Sequence, residues 1–199
     1  VLFCVQNFSV PQDTRVWREA IALKAAGYRV SVICPRTSGG PWIETIDGVC
    51  IIRYPNTPEL PGLLGQVAET AACLTFTSAI SLALRARRQI HVLHGANPPD
   101  TFYILAALLR LGGTKYVFDQ HDLVPELLQA RGGSNRSLQS RVFGFLERQS
   151  YAGADMVIAP NNSYRQVAIQ RGKKNPKQVI TVRSGPDGVD NTMLPTDEQ

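Results

Sequence analysis

The chain has 199 residues, of which 44% are hydrophobic and 19% charged, and its formal net charge is +5. This length suits one large domain or two small ones with a sizeable buried core. The positive excess is mild and scattered along the sequence, which argues against a nucleic-acid-binding protein and favours anionic partners such as nucleotide phosphates or acidic lipid headgroups.

The first part of the chain predicts a strand–helix–strand unit. The apolar run VLFCVQN (1–7) is typical of a strand that is buried on both faces. Residues 13–27 carry apolar side chains at helical spacing, with Asp13 as the expected N-cap and Gly27 as the stop. The next strand is YRVSVICP (28–35), so the two strands should be parallel and joined by a right-handed crossover.

The same alternation continues along the chain. Further strands are predicted at 48–55, 90–95, 114–119, 154–160 and 178–184, and helices at about 62–88, 99–111, 123–130, 137–152 and 162–171. Seven strands that alternate with helices predict an α/β fold with a doubly wound, mostly parallel, Rossmann-like sheet over residues 1–184. Residues 185–199 show no periodicity and are interpreted as the start of a linker.

The cysteines and the apolar segments indicate a cytoplasmic protein. The chain has four cysteines and no CxxC pair, and three of them fall in predicted strands, so we expect buried free thiols. The chain opens on an apolar run without a basic leader, so no signal peptide is expected. Residues 63–84 are the most apolar long segment, but Gln66, Glu69 and several Ser and Thr interrupt it, and we expect no membrane span.

Several motifs that carry nucleotide or nucleophile chemistry are absent from the sequence. It contains no GxG dinucleotide fingerprint, no GK[ST] phosphate loop, no GxSxG nucleophile turn and no DxD carboxylate pair. His91 and His94 lie three residues apart on one predicted strand and therefore point to opposite faces, so they cannot chelate one ion together. We expect neither a bound metal nor a cofactor.

Polar clusters follow four of the predicted strands, at 6–7, 94–100, 119–126 and 161–162. In open α/β sheets, ligands bind in the crevice beyond the carboxyl ends of the strands. These clusters are therefore the candidate functional residues. His121, which lies between carboxylates in the run VFDQHDLVPEL, is the main candidate for chemistry. Spacing alone favours an ordinary loop histidine that caps the following helix or bonds to Asp119 or Asp122.

Four segments of the chain share features with one family of enzymes. They read NFSVPQDTRVWREAIALKAAGYRVSVICPR (7–36), HVLHGANPPDTFYILAALLR (91–110), VFDQHDLVPELL (117–128) and VITVRSGPD (179–187). In order and spacing they resemble retaining glycosyltransferases of family 4, in which NPPD and His-Asp-x-x-Pro-Glu runs recur in a bacterial subgroup. The resemblance implies the N-terminal, acceptor-side half of the two-domain GT-B architecture, with the donor-binding domain expected beyond the linker.

The resemblance also implies roles for individual residues. His121 would be catalytic, reaching the donor sugar across the cleft and stabilising its developing positive charge, with the flanking carboxylates fixing its ring tautomer. The other residues expected to bind the acceptor or to line the cleft are Asn7, Arg15, Asn97, Asp100, Asp119, Asp122 and Glu126. The loop Gln6–Pro11 replaces the Gly-Gly turn that many relatives place near the donor diphosphate.

Ordinary structural roles compete with several of these assignments. Asp122 and Glu126 would also suit a helix N-terminus, where the helix dipole favours acids, and Asp100 would suit an N-cap. Arg15 is different, since a cation is unfavourable in the first turn of a helix, and its position suggests a phosphate or acidic acceptor.

The function implied by the resemblance is sugar transfer from a nucleotide-diphosphate donor to a glycan or lipid-linked acceptor, with retention and without a metal, in polysaccharide biosynthesis. The basic run Arg85–Arg88 at the end of the long helix would allow peripheral contact with the inner face of the membrane. Two alternatives stay open: half of a nucleotide-sugar 2-epimerase, and a non-catalytic flavodoxin-like binding or regulatory module.

Overall fold

The computed structural model describes residues 1–56, 62–87, 90–130 and 138–183. The strands are β1 (Leu2–Cys4), β2 (Ser31–Pro35), β3 (Ile43–Ile46), β4 (Val49–Tyr54), β5 (Val92–Ala96), β6 (Lys115–Asp119), β7 (Met156–Ala159) and β8 (Val179–Thr181). The helices are α1 (Thr14–Ala25), α2 (Gly62–Arg87), α3 (Phe102–Arg110), α4 (Val124–Ala130), α5 (Leu138–Gly153) and α6 (Asn162–Gln170). Arg88 and the predicted linker lie outside the described residues.

The strands form one sheet in the order β3-β4-β2-β1-β5-β6-β7-β8, and all neighbours are parallel except β3 and β4. The predicted α/β class and mostly parallel sheet are confirmed, but the prediction of seven strands is wrong by one. Ile43–Ile46 adds an antiparallel edge strand through the turn Asp47-Gly48, where both residues have positive φ. Its side chains alternate between exposed and half-buried, so it lacks the continuous apolar run that marks the central strands.

The sheet is buried on both faces. Successive side chains of β1 point to opposite sides, so Leu2 and Cys4 enter one apolar cluster and Phe3 enters the other. Helix α1 covers the second cluster with Val16 and Ala20, and Asp13 caps its first turn by accepting a hydrogen bond from the Val16 amide, as the sequence predicts. Helices α2, α3 and α5 contribute to the first cluster.

Helix α2 has unusual apolar exposure. Within the described residues, its segment Leu64–Arg87 is long and apolar enough to cross a membrane by length and composition, and only 17% of its most apolar stretch is buried. One side of the helix does pack inside the domain, where Cys73, Thr77 and Ser81 are fully buried. At its basic end, Arg85 donates a hydrogen bond to the carbonyl of Leu109 and is thereby held against α3.

The close approach of α3 to β5 gives a test of the packing. A Cβ on Gly95 would lie 2.9 Å from the Cβ of Phe102 and 3.1 Å from a ring carbon of Tyr116. We expect Gly95→Ala to lower the free energy of unfolding by about 1–3 kcal/mol, the usual scale of overpacking a core, as measured by urea denaturation.

Gly144→Ala in α5 is the matched control. The nearest atom to its new Cβ would be Arg148 Nη1 at 3.6 Å, an ordinary contact, so the better helix propensity of alanine should raise the free energy of unfolding by about 0.5–1 kcal/mol. Equal effects from both substitutions would contradict the packing described for β5 and α3.

Candidate functional site

The loops that follow β1, β5 and β6 converge at the carboxyl edge of the sheet, because these three strands are neighbours. They enclose a cavity of about 290 Å³, which we call the His121 cavity. Its walls include Asn7 after β1, Asn97 after β5, His121 and Asp122 after β6, and Arg15 from α1. Five of the predicted site residues therefore lie around one space.

Asp119, the last residue of β6, lies behind the wall of the His121 cavity and contacts residues from several elements. Its side chain is fully buried, and it contacts three basic groups from three different elements. Arg15 Nη2 lies 2.7 Å from Oδ1, whereas His121 Nε2 and His94 Nε2 lie 2.6 Å and 3.3 Å from Oδ2. Burial disfavours the charged carboxylate, but the bonds to His121 and His94 outweigh burial and hold the pKa of Asp119 well below its usual range.

His94 in β5 lies between two carboxylates. Its Nε2 atom is 3.2 Å from Glu19 Oε2 of α1 and 3.3 Å from Asp119 Oδ2, and its ring stacks on Phe3 at a centroid distance of 4.2 Å. Burial opposes a charge on the ring, but the bonds to Asp119 and Glu19 outweigh it and raise the pKa of His94 to about 9. A pKa of about 9 corresponds to a protonated ring at neutral pH.

Asn97 fixes the loop that carries His121. Its Oδ1 accepts hydrogen bonds from the backbone amides of His121 at 2.5 Å and Asp122 at 3.1 Å. Its Nδ2 donates to the carbonyl of Asp122 at 2.9 Å and to Asp100 Oδ1 at 3.0 Å. One amide side chain thus links the loop after β5 to the loop after β6, and both nitrogen and oxygen of Asn97 are used.

The buried environment of Asp100 raises the pKa of its carboxyl group. Its side chain is buried, and burial raises the pKa of Asp100 to about 7 although the bond from Asn97 acts in the opposite direction. The predicted N-cap role does not describe it, since Thr101 occupies the N-cap position of α3 and makes no side-chain capping bond.

Two predicted site residues, Glu126 and Arg15, form ion pairs within the domain that the sequence did not predict. Glu126 in α4 pairs with Arg171, with Oε1–Nη1 and Oε2–Nη2 distances of 2.5 and 3.2 Å, and Arg171 also contacts the buried Glu147. The structure does not bring Glu126 to the wall of the His121 cavity, and its role in acceptor binding stays a prediction. Arg15 does line the cavity, but Asp119 accounts for its position without a bound phosphate.

Sequence reasoning missed Glu19 altogether. Glu19 lies one helical turn after Arg15 in α1, and its Oε1 is 3.4 Å from Arg15 Nε, so both side chains face the same buried edge. Their spacing of four residues was the available signal.

Glu19, His94 and Asp119 also place three metal-ligand atoms within 4.8 Å of one another. The Arg15 guanidinium contacts both carboxylates, however, so a cation already neutralises this group. The expectation that the site works without a metal stays a prediction.

Comparison with known proteins identifies the family. Residues 12–184 match the family model of the glycosyl transferase 4-like domain. The chain belongs to this family. No curated protein matches the sequence of this glycosyl transferase 4-like chain significantly.

Solved structures show the same fold. Sucrose-phosphate synthase from Thermosynechococcus elongatus aligns with a TM-score of 0.67 at 19% identity, over 93% of this chain and 47% of that protein. Phytolacca americana UGT2, complexed with UDP-2-fluoro-glucose and pterostilbene, aligns with a TM-score of 0.57 at 14% identity, over 93% of this chain and 54% of the other.

A glycosyltransferase from Rickettsia africae aligns with a TM-score of 0.51 at 14% identity, over 92% of this chain and 42% of the other. The glycosyl transferase 4-like chain thus spans about half the length of these three proteins, and its sheet corresponds to the Rossmann-like half of a GT-B fold.

The buried His94 predicts a pH dependence of stability. The pKa of His94 is about 9 in the folded chain against 6.5 for an ordinary histidine, so the folded state binds this proton more tightly. The resulting stabilisation is complete below about pH 6.5 and is lost as the pH rises through about 9. We expect the free energy of unfolding to fall across this interval by on the order of 3 kcal/mol at most.

Denaturant titrations at several pH values measure this slope. The slope should be much smaller in His94→Gln, which keeps one N–H donor, and unchanged in the control His91→Gln, since His91 is exposed at the other end of β5. A slope that is equal in wild type and His94→Gln would show that His94 is not a buried cation.

Proposed function

We propose that this domain is the acceptor-side half of a retaining glycosyltransferase. The complete enzyme would transfer a sugar from a nucleotide-diphosphate donor to a hydroxyl of a glycan or lipid-linked acceptor, without a metal or cofactor. Membership of the glycosyl transferase 4-like family supports the transfer of a sugar. The length of the chain, about half that of the aligned proteins, supports a second domain that binds most of the donor.

The observation that carries this proposal is the bond between His121 and Asp119 at the wall of the His121 cavity. A neutral ring that donates its Nε2–H to Asp119 has the lone pair of Nδ1 free to accept a hydrogen bond. Such an acceptor would orient a sugar hydroxyl, and its partial negative charge would face the positive charge that develops on the sugar ring. Asn97 holds the backbone of His121 in the required place.

Catalysis in this proposal rests on positioning and electrostatics. The bond between the sugar C1 and the donor diphosphate breaks, the acceptor oxygen bonds to C1 on the same face, and the departing diphosphate takes the acceptor proton. The buried Asp119 keeps the ring of His121 from turning, because its Oδ2 is shared with the fixed ring of His94. No protein nucleophile is part of this scheme.

Peripheral contact with the inner face of the membrane belongs to the same proposal, with the protein in the cytoplasm. The exposed Arg87 at the end of α2 would face anionic lipid, whereas Arg85 is held by the carbonyl of Leu109. The exposed apolar residues of α2 support this placement.

The His121→Asn substitution in the complete two-domain enzyme tests the role of the ring. We expect the rate of sugar transfer to fall on the order of 100-fold, the usual scale for the loss of one positioned polar group. Asparagine can offer an acceptor oxygen near the position of Nδ1, but it is too short to reach Asp119 from the position of Nε2, so that acceptor is no longer held in place. The free energy of unfolding should stay within about 1 kcal/mol of wild type, and donor affinity should change little.

His91→Asn is the control for this experiment, since His91 is exposed and does not line the His121 cavity. Its rate should equal that of wild type. An unchanged rate with lowered stability in His121→Asn would show that the histidine only supports the loop.

The isolated chain of 199 residues should fold but not catalyse transfer. Its described strands form one sheet with apolar clusters on both faces, whereas the donor would bind mainly to the second domain. Incubation with a panel of nucleotide sugars and acceptors, followed by product analysis, measures this. Turnover comparable to that of a complete enzyme would show that the site is already whole in this chain.

A further inference from the structure

A second cavity, of about 560 Å³, adjoins the His121 cavity, and we call it the apolar groove. Its walls come from the helices α2, α4 and α5 and from the loops that follow β1 and β5. The apolar side chains that form these walls include Val67, Leu74, Leu127, Val142, Phe143 and Leu146. The volume falls in the range of sites for small organic ligands.

Water reaches the walls of the groove. Val67 is 57% exposed, Leu127 is 41% exposed and Val142 is 43% exposed, although each belongs to a different helix. Scattered exposed apolar residues are normal on protein surfaces, but here they converge on one concave space. An apolar ligand in this space would remove these side chains from water, which is favourable in proportion to the buried area.

The groove opens directly into the candidate active site. Asn7, Pro98 and Asp122 line both the groove and the His121 cavity, so a ligand can extend from one into the other. At this junction the groove becomes polar, because Asp100 and Thr101 also line it. Among the described residues, Asp100 Oδ2 and Thr101 Oγ1 have no hydrogen-bond partner, although Asp100 is only 3% exposed.

The charges around the groove restrict the ligand further. Its lining contains Glu69, Asp100 and Asp122 and, among the described residues, no lysine or arginine. A phosphate or diphosphate headgroup would meet acids without a counter-ion. A polar oligosaccharide would leave its hydroxyls unpaired along the apolar walls. The ligand that fits both constraints is uncharged, with an apolar part and a hydroxyl-bearing end.

We propose that the apolar groove binds the alkyl chain or ring system of an uncharged amphiphilic acceptor, whose hydroxyl passes Asp122 and Asn7 to enter the His121 cavity. This inference rests on the proposed glycosyltransferase function and names its acceptor class. Asp100 and Thr101 supply hydrogen bonds to the polar end of the acceptor at the junction. The chain length of the acceptor then determines affinity, and its headgroup charge determines selectivity.

The test uses the complete two-domain protein and butyl, hexyl and octyl β-glucosides below their micelle concentrations, with affinity measured by isothermal titration calorimetry. Each methylene that enters the groove should tighten binding about fourfold, as expected for the burial of a CH₂ group. Octyl phosphate, which has the same chain and an anionic headgroup, should bind more than about tenfold more weakly than octyl glucoside.

Two alanines of α2 provide matched variants. Ala71 lines the groove and Ala79 does not, and both are exposed, so neither substitution should unfold the protein. Ala71→Trp fills the groove and should weaken octyl glucoside binding by more than about tenfold and remove the dependence on chain length. Ala79→Trp should bind as wild type does.

Several outcomes would overturn the inference. They are an affinity that does not depend on chain length, equal losses in Ala71→Trp and Ala79→Trp, tighter binding of octyl phosphate, and a dimer that Ala71→Trp dissociates, which would assign the groove to a second copy. In His121→Asn the dependence of affinity on chain length should equal that of wild type, because His121 does not line the apolar groove, whereas the transfer rate should fall. If His121→Asn transfers sugar at the wild-type rate while affinity still rises with chain length, only the proposed function is contradicted. If His121→Asn lowers the rate while affinity does not depend on chain length, only the groove is contradicted.

Discussion

The carboxylate of Asp119 is the group on which the candidate site depends. A buried carboxylate without partners would cost several kcal/mol, so the fold must bring hydrogen-bond donors and cations to it. Arg15 comes from α1, His94 from β5 and His121 from the loop after β6, and each contacts an oxygen of Asp119 within 3.3 Å. The charge at the end of one strand therefore fixes the relative positions of three elements.

The order of the strands makes this arrangement available. Because β5 pairs with β1 on one side and β6 on the other, the end of β5 lies between the first helix and the loop after β6. His94 can thus contact Glu19 and Asp119 together, and Asn97 can reach the amides of His121 and Asp122 from the neighbouring strand end. The position of His121 is therefore set by residues of the neighbouring strands β5 and β6, and not by its own loop alone.

Local patterns in the sequence were sufficient for most of the architecture, since buried strands and amphipathic helices leave regular apolar spacing. They were insufficient where the deciding partner is distant in the chain or the apolar signal is weak. In the edge strand Ile43–Ile46, exposed side chains alternate with half-buried ones, so the strand has no continuous apolar run. The contact between Glu126 and Arg171 was not predicted, because the two residues are 45 positions apart and no local pattern indicates such a pair.

The candidate site residues also fall into two groups, those with a local sequence signal and those whose role depends on distant partners. His121 and Asn97 were predicted because polar residues at strand ends stand out against buried strands. The parallel sheet brings these strand ends together, so both residues line the His121 cavity. Glu19 was not found, because an acid four residues after an arginine is common on exposed helices. Only the fold shows that this face of α1 lies against His94 and that Arg15 and Glu19 contact the same buried residues around Asp119.

The distribution of charge connects the cleft with the groove beside it. The chain carries a net charge of +5, so its field attracts anionic molecules at long range. Arg15 is paired with the carboxylates of Asp119 and Glu19, and the charged residues among the described lining of the groove are all acids. Under the proposed function, short-range recognition in this domain would therefore run opposite to the long-range attraction, with the anionic donor held on a second domain and an uncharged acceptor held here. In that proposal the division would keep the diphosphate of the donor from competing for the acceptor site, since the acids that tolerate a hydroxyl repel a phosphate.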